Sequence, residues 1–232
     1  MTLFAPLAPI AVALDGPDLQ TVTGWAEAVD GIAGVVKVGL ESYLRDGAAG
    51  VRQVRGAAPQ ASLFLDLKLH DIPATVAGAC RSIAGLDPAI LTVHAAGGPQ
   101  MVAAAAQALP EARIAAVTVL TSLSAADIAG IGLVGTPLEC VLRLARLAVD
   151  AGASALVCSP EEVAAVRAEV GPQVLLITPG VRPAGAATHD QQRVATPQQA
   201  LAAGSDLLVI GRPITAAADP RAAAAAIAAS VA

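Results

Sequence analysis

The chain contains only two lysines, Lys37 and Lys68, and both lie inside apolar segments that are typical of β-strands. The other twelve of its 14 basic residues are arginine. A lysine can change its protonation state in response to its surroundings, whereas arginine keeps its proton in essentially any protein. Lysines placed among carboxylates in apolar strands therefore indicate proton transfer or the stabilisation of a small negative centre.

Acidic residues flank Lys68 at a spacing that brings charges together. Side chains alternate between the two faces of a strand, so Asp66 and Lys68 share one face, and Asp71 follows in the next turn. Lys37, one predicted strand earlier, reaches the same place, which predicts a line of alternating charges: Lys37, Asp66, Lys68 and Asp71. Two charges about 4 Å apart interact by roughly 4 kcal/mol at an effective dielectric of 20. A purely structural ionic network is the alternative, but buried ion pairs are poor stabilisers.

Eight short apolar runs alternate with helical patterns along the whole chain. This alternation is typical of parallel strands joined by helical crossovers, and eight such units predict one (β/α)8 TIM barrel, an α/β fold, as a single domain over residues 1–232. A doubly wound open sheet is the alternative, but its Gly-x-Gly-x-x-Gly motif is absent. The predicted strands are 9–14, 34–39, 62–69, 89–95, 113–120, 154–158, 173–178 and 206–211, and the predicted helical stretches are 19–29, 42–55, 72–84, 99–108, 138–149, 161–170, 197–203 and 220–230.

Polar residues follow the predicted strands at their carboxyl ends, where barrels of this kind carry catalytic groups. Asp15 ends the first strand, Thr121 and Ser122 end the fifth, and Gly211 and Arg212 end the eighth. These residues therefore lie at the same end of the predicted barrel as the charged line.

Composition excludes several classes of function. Hydrophobic residues make up 55% of the chain, aromatic residues 2%, and the net charge is -5 without a basic cluster, which argues against disorder and against a nucleic-acid surface. A signal peptide's basic region and an apolar run of membrane-spanning length are both absent, so no membrane association is expected. Cys80, Cys140 and Cys158 lack C-x-x-C spacing, which indicates buried thiols in a reducing cytoplasm.

The three histidines are interpreted as structural. His94 lies near a strand end, His189 lies in a loop, and His70 is near a lysine better suited to donate a proton. No two of them have the spacing of metal ligands, so no metal site is predicted.

The stretch from Asp66 to Thr75, DLKLHDIPAT, resembles the D-x-K-x-x-D motif of the orotidine 5'-phosphate decarboxylase family. The resemblance extends over nearly the whole chain, in the family's order. The other similar segments are 12–15 (VALD), 37–39 (KVG), 93–98 (VHAAGG), 119–122 (VLTS), 157–160 (VCSP), 179–183 (PGVRP), 190–194 (DQQRV) and 211–215 (GRPIT).

The resemblance implies a carbon–carbon lyase that converts orotidine 5'-monophosphate to uridine 5'-monophosphate and CO2 in pyrimidine nucleotide synthesis, with no metal or organic cofactor. Lys68 would stabilise the carbanion left at C6 and then protonate it. Asp66 would crowd the substrate carboxylate and hold Lys68 protonated. Lys37 and Asp15 resemble the family's ribose-contacting pair, with Lys37 also orienting Asp66.

The remaining site residues are implied for the phosphate end of the substrate. Loops after strands 7 and 8 commonly bind phosphate in such barrels. Gly211 would offer a backbone N–H and Arg212 a planar guanidinium, and Arg182 and Gln191 would lie in a loop that closes over the phosphate. The stretch 124–136, rich in Gly and Ala, is interpreted as a second lid.

The resemblance also implies which residues contact the pyrimidine ring and that the partner is a second copy of the chain. Thr121, Ser122 and Pro179 would contact the ring. Asp71 and Thr75 would reach into the neighbouring subunit's site, which implies a homodimer with shared sites.

Two alternatives remain open. Magnesium-dependent sugar-phosphate lyases and decarboxylases share D-x-K-x-x-D and stabilise an enediolate with the metal. A catalytically silent nucleotide-binding barrel is the other alternative. The stretch 70–73 with Thr75, the pair Asp190–Gln191 and the complete set of four charges favour the decarboxylase.

Overall fold

The strands close into a parallel barrel in which every strand pairs with its neighbours in chain order and the first pairs with the last. The computed structural model describes residues 6–182 and 195–231. The predicted (β/α)8 barrel is therefore confirmed. The strands are β1 (Ala8–Ala13), β2 (Ala33–Gly39), β3 (Ser62–Leu69), β4 (Ile90–His94), β5 (Arg113–Val117), β6 (Ala155–Val157), β7 (Leu175–Thr178) and β8 (Leu207–Ile210).

Helices cover the outside of the barrel, and the eight predicted helical stretches agree with the observed bounds to within two residues. Two short helices, α5 and α9, were not predicted, although the Ser124 hydroxyl and the Asp127 side chain form a capping box that marks the start of α5. The helices are α1 (Leu19–Val29), α2 (Leu40–Ala57), α3 (Pro73–Ile83), α4 (Pro99–Ala108), α5 (Ala125–Gly130), α6 (Pro137–Asp150), α7 (Val163–Val170), α8 (Pro197–Ala202), α9 (Arg212–Thr215) and α10 (Pro220–Ser230).

No helix within the described ranges has both the length and the apolar character required to cross a bilayer. The three cysteines are free and buried, as expected for apolar thiols. Helix α5 lies inside the stretch that the sequence predicts to be a second lid, and its role as a lid stays a prediction.

The fifth strand is shorter than predicted. It ends at Val117, and the backbone N–H and the hydroxyl of Thr118 both donate to the carbonyl of Val157, at 3.3 and 3.1 Å. The prediction that Thr121 and Ser122 end this strand is therefore wrong, and both residues lie in the loop that follows it.

Two apolar layers follow from the alternation of strand side chains. The outer layer packs strands on helices and includes Leu65 and Leu67, as predicted, whereas the barrel interior is filled by a separate cluster around Phe64. Alanines such as Ala11 and Ala115 make room for this one large ring. The residues two positions further along each strand lie at the barrel mouth, above the interior cluster, and these positions form the candidate site.

Candidate active site

Four charged side chains form a continuous line of ion pairs at the carboxyl ends of β1, β2 and β3. Lys37 Nζ lies 3.0 Å from Asp15 Oδ2 and 3.1 Å from Asp66 Oδ2, and Lys68 Nζ lies 2.7 Å from Asp66 Oδ1. The Asp66 carboxylate thus receives one ammonium group on each oxygen. The predicted grouping of Lys37, Asp66 and Lys68 is observed, with Asp15 as its fourth member.

Asp71 does not join this line within the described chain, contrary to the predicted order of charges. Strand β3 ends at Leu69, and the turn before α3 carries Asp71 to an exposed position where its Oδ1 accepts a hydrogen bond from the Ile72 N–H at 2.6 Å. Thr75, in the first turn of α3, is exposed as well. Both residues are therefore exposed to solvent in the single chain.

Burial and neighbouring charges shift the pKa values of Asp66 and Lys37 in opposite directions. Burial raises the pKa of Asp66, but the ammonium groups of Lys37 and Lys68 outweigh it and lower the pKa to about 2. Burial likewise lowers the pKa of Lys37, and the carboxylates of Asp66 and Asp15 outweigh it, so that its pKa lies above the ordinary value of 10.5. Both groups are charged at neutral pH.

A bulge in β3 places Lys68 at the mouth. Leu65 pairs with Leu91 and Leu69 with Val93, so three residues of β3 stand opposite the single residue Thr92 of β4. Lys68 accommodates the extra length with a φ of 48°, a left-handed conformation that costs a non-glycine residue on the order of 1 kcal/mol.

Thr92 bridges this bulge and was not predicted as a site residue. Its hydroxyl accepts a hydrogen bond from the Lys68 backbone N–H at 2.9 Å and lies 3.0 Å from Asp66 Oδ1. The side chain is fully buried. Its position two residues after Ile90, an interior residue of the barrel, is the sequence signal that places it at the mouth.

Glycine at position 39 lets Asp15 approach Lys37. A Cβ atom on Gly39 would overlap the Asp15 carboxylate. The Ser42 hydroxyl donates a hydrogen bond to the Leu14 carbonyl at 2.8 Å and so fixes the end of β1. Asp15 Oδ1 is buried and has no hydrogen-bond partner among the described residues.

A cavity of about 300 Å³ opens beside the line of charges. Lys37, Asp66 and Lys68 form its polar side, while the rest of its wall is mainly apolar and includes Val157 and Ile177. A small apolar cavity with a few converging polar groups is typical of a small-molecule site.

Comparison with known proteins gives the family. The model of the orotidine 5'-phosphate decarboxylase / HUMPS family matches residues 8–227. The chain belongs to this family. The orotidine 5'-phosphate decarboxylase of Thermobifida fusca (strain YX) is 68% identical over 224 residues, which are 97% of this chain and 96% of that protein.

Two further relatives agree with the family assignment. The orotidine 5'-phosphate decarboxylase of Frankia casuarinae (strain DSM 45818 / CECT 9043 / HFP020203 / CcI3) is 55% identical and covers 97% of this chain and 88% of its own length. A crystal structure of orotidine 5'-phosphate decarboxylase from Lactobacillus acidophilus aligns with a TM-score of 0.82 at 35% identity, over 95% of this chain and 97% of that one.

Two of the other residues suggested by the family resemblance line the cavity. Thr121 and Pro179 line it, and Ser122 is exposed in the same loop as Thr121. Arg182 is buried close after β7, where its backbone N–H donates to the Ala195 carbonyl at 3.0 Å. Gly211 and Arg212 directly follow β8, and Gln191 falls outside the described residues.

His70 and His94 stack on each other at the end of β3 and β4, with ring centroids 5.4 Å apart. Burial lowers the pKa of His94, and the neighbouring charges of His70 and Lys68 lower it further. His189 lies outside the described residues. Within the described part of the chain, no three His, Cys, Asp or Glu side chains are arranged to hold a metal ion.

Cys158 also lines the cavity and was expected only as a buried thiol. Burial raises its pKa to about 12, and the nearby Glu162 raises it as well. The thiol is therefore neutral at physiological pH and contributes an apolar surface to the cavity.

The lowered pKa of Asp66 predicts how stability depends on pH. A carboxylate with a folded pKa of about 2 and an ordinary value of 3.8 stabilises the fold above about pH 4, and this contribution is lost as the pH falls toward 2. Urea unfolding of wild type and Asp66→Asn should therefore show that the wild type loses about 2 kcal/mol more than the variant between pH 6 and pH 2.

Asp150→Asn, which removes an exposed carboxylate, is the matched control and should follow the wild-type curve. Parallel curves for wild type and Asp66→Asn would show that Asp66 does not titrate as the ion pairs require.

Proposed function

We propose that the protein catalyses the decarboxylation of orotidine 5'-monophosphate to uridine 5'-monophosphate and CO2, a step of pyrimidine nucleotide biosynthesis, without a cofactor. The observation that carries this proposal is the Asp66 carboxylate shared by two ammonium groups beside a mainly apolar cavity of about 300 Å³. The names of the relatives, orotidine 5'-phosphate decarboxylases at up to 68% identity over nearly the whole chain, support the same reaction.

Lys68 has the position and chemistry for the central step. Loss of CO2 from C6 of the pyrimidine leaves an electron pair on a carbon that has little resonance stabilisation. A fixed ammonium group at the cavity wall stabilises this charge as it develops and then donates the proton that replaces the carboxylate. The Lys68 ammonium lies on the wall, and the mainly apolar lining keeps the local dielectric low, which strengthens its effect.

Asp66 contributes a fixed negative charge next to Lys68. Since its pKa is about 2, it stays ionised throughout the physiological range. A substrate carboxylate beside it is repelled in the ground state, and this repulsion disappears as CO2 leaves. Lys37 neutralises the other Asp66 oxygen and holds the carboxylate in place at 3.1 Å.

The ribose and the phosphate occupy the two sides of the mouth. The part-exposed Asp15 carboxylate and the Lys37 ammonium suit ribose hydroxyls, as acceptor and donor. The phosphate binds at the ends of β7 and β8, where Arg182, Gly211 and Arg212 lie. Phosphate is remote from C6, so its binding energy assembles the site rather than joining in the bond breaking.

The pyrimidine ring lies between the loop that follows β5 and Pro179. Thr121 lines the cavity and offers a hydroxyl for the polar edge of the ring, and Ser122 is next to it. Gln191 would complete the phosphate contacts.

The location of the enzyme is the cytoplasm, which the three free cysteines support because disulfides are rare in reducing compartments.

The active form is a homodimer in which each subunit completes the other's site. Asp71 and Thr75 are exposed on one rim of the barrel, and between them Ile72 is 65% exposed, which is high for a large apolar side chain. Burial of Ile72 against a second copy would carry Asp71 to the partner's charged line and extend it to Lys68 of that subunit.

Substitution of Lys68 tests the central step. Lys68→Ala removes the proton donor and the charge, and Lys68→Arg keeps the charge but gives up its proton poorly. Both variants should lower kcat by at least about a thousandfold while circular dichroism shows an unchanged fold. Turnover is followed by the change in absorbance as orotidine 5'-monophosphate is consumed by metal-stripped protein.

Arg113→Lys, on β5 at the opposite end of the barrel, is the control and should keep wild-type turnover. Near-normal turnover by Lys68→Ala would contradict the proposed role. Loss of wild-type activity on addition of EDTA would instead support the magnesium-dependent reaction of the related lyases.

Hybrid dimers test the shared site. Lys68→Ala and Asp71→Ala are each expected to be inactive as homodimers. When the two are mixed, each hybrid has one intact site, so activity should return to about a quarter of wild type at equal amounts, since half of the dimers are hybrids with one working site of two. Full subunit exchange without recovery would show that Asp71 does not act across the interface.

A further inference from the structure

We propose that Thr92 is a positioning residue that holds the Lys68 backbone and the Asp66 carboxylate in register for decarboxylation, an inference that rests on the proposed function. Thr92 is not part of the D-x-K-x-x-D motif, because it lies on the neighbouring strand β4. It is absent from the described lining of the cavity, so it acts through Lys68 and Asp66 rather than on the substrate.

The Thr92 hydroxyl closes a ring of hydrogen bonds. It accepts from the Lys68 backbone N–H at 2.9 Å and donates to Asp66 Oδ1 at 3.0 Å. The same Oδ1 accepts from Lys68 Nζ at 2.7 Å. The Thr92 hydroxyl therefore contacts Lys68 twice: directly at its backbone N–H, and through Asp66 at its side-chain ammonium group.

The orientation of this hydroxyl is determined by its neighbours. An ionised carboxylate only accepts hydrogen bonds, so the single hydroxyl proton must point to Asp66. The lone pairs are then directed to the Lys68 N–H, which can only donate. Thr92 is fully buried, and water cannot substitute for either bond without a rearrangement of the strands.

The bulge explains why Lys68 requires this support. Its φ of 48° is unfavourable for lysine and persists only where surrounding contacts impose it. Without the hydroxyl, the N–H of Lys68 would be left without its acceptor, and the backbone would relax toward an ordinary strand. Such relaxation would move Nζ relative to Asp66 and to the reacting carbon.

Two matched pairs of variants isolate the hydroxyl. Thr92→Val replaces it with a methyl group of similar size. Thr92→Ser and Thr92→Ala both lack the γ-methyl and differ only in the hydroxyl, so they provide the comparison even if the valine variant does not fold. Thr178→Val removes a fully buried hydroxyl from β7, where it accepts from Ser205 at 2.8 Å, and serves as the control.

The kinetic expectation is a loss in kcat with little change in KM. Displacement of a catalytic group by a fraction of an ångström to 1 Å costs up to about a hundredfold, so Thr92→Val and Thr92→Ala should lower kcat by about 10- to 100-fold. KM should stay within about threefold, because the ribose and phosphate contacts are untouched. Thr92→Ser should stay within about threefold of wild type in kcat, and Thr178→Val should do the same.

Amide hydrogen exchange supplies a readout that does not depend on turnover. In substrate-free protein, the Lys68 amide should exchange at least about tenfold faster in Thr92→Val and Thr92→Ala than in wild type, and Thr92→Ser should keep its protection. If the wild type failed to decarboxylate orotidine 5'-monophosphate, the proposed function would be refuted while exchange at Lys68 still decided the role of Thr92. Wild-type kcat and exchange in the variants without the hydroxyl, or a serine variant as impaired as the alanine variant, would overturn the positioning role.

Discussion

The site depends on one carboxylate that is held between two ammonium groups. Burial alone would favour the neutral forms of Asp66 and Lys37, and it is outweighed only because each has an opposite charge within about 3 Å. Removal of one member would leave a buried charge without its partner, which is far more costly than the absence of the whole group. The four charges are therefore interdependent, and they should be treated as one coupled unit.

The barrel supplies this unit with its geometry. Adjacent strands β1, β2 and β3 deliver Asp15, Lys37 and Asp66 to one edge, because positions two residues apart share a face and parallel strands end at the same side. Phe64 fills the interior below them. The bulge of β3 interrupts this regular pattern, and Lys68 lies in the bulge. The strained backbone of Lys68 therefore lies where its side chain must be directed toward the cavity. Thr92 of the neighbouring strand β4 supports this conformation with a hydrogen bond.

Much of this arrangement was predictable from sequence. Within residues 6–182 and 195–231, periodicity predicted all eight strands and eight of the ten helices. Alternation from Leu65 to Lys68 assigned the inward face of β3 correctly. The order of charges was wrong in one respect, since Asp15 rather than Asp71 is the fourth member of the line within one chain. Alternation is a property of regular strands, and a bulge adds residues that displace the later part of the strand and its turn. Neither the position of Asp71 nor the contact of Thr92 with Lys68 could therefore be read from spacing alone.

The most direct test of the shared carboxylate is a titration of the two lysines. Because the chain contains only Lys37 and Lys68, selective isotope labelling of lysine gives two side-chain NMR signals, which the substitution of either residue assigns. We expect the pKa of Lys37 to lie above 10.5 in the wild type and to fall in Asp66→Asn, where burial is opposed by Asp15 alone. A wild-type Lys37 that titrates below 10.5, or one whose pKa is the same in Asp66→Asn, would contradict the central role of Asp66.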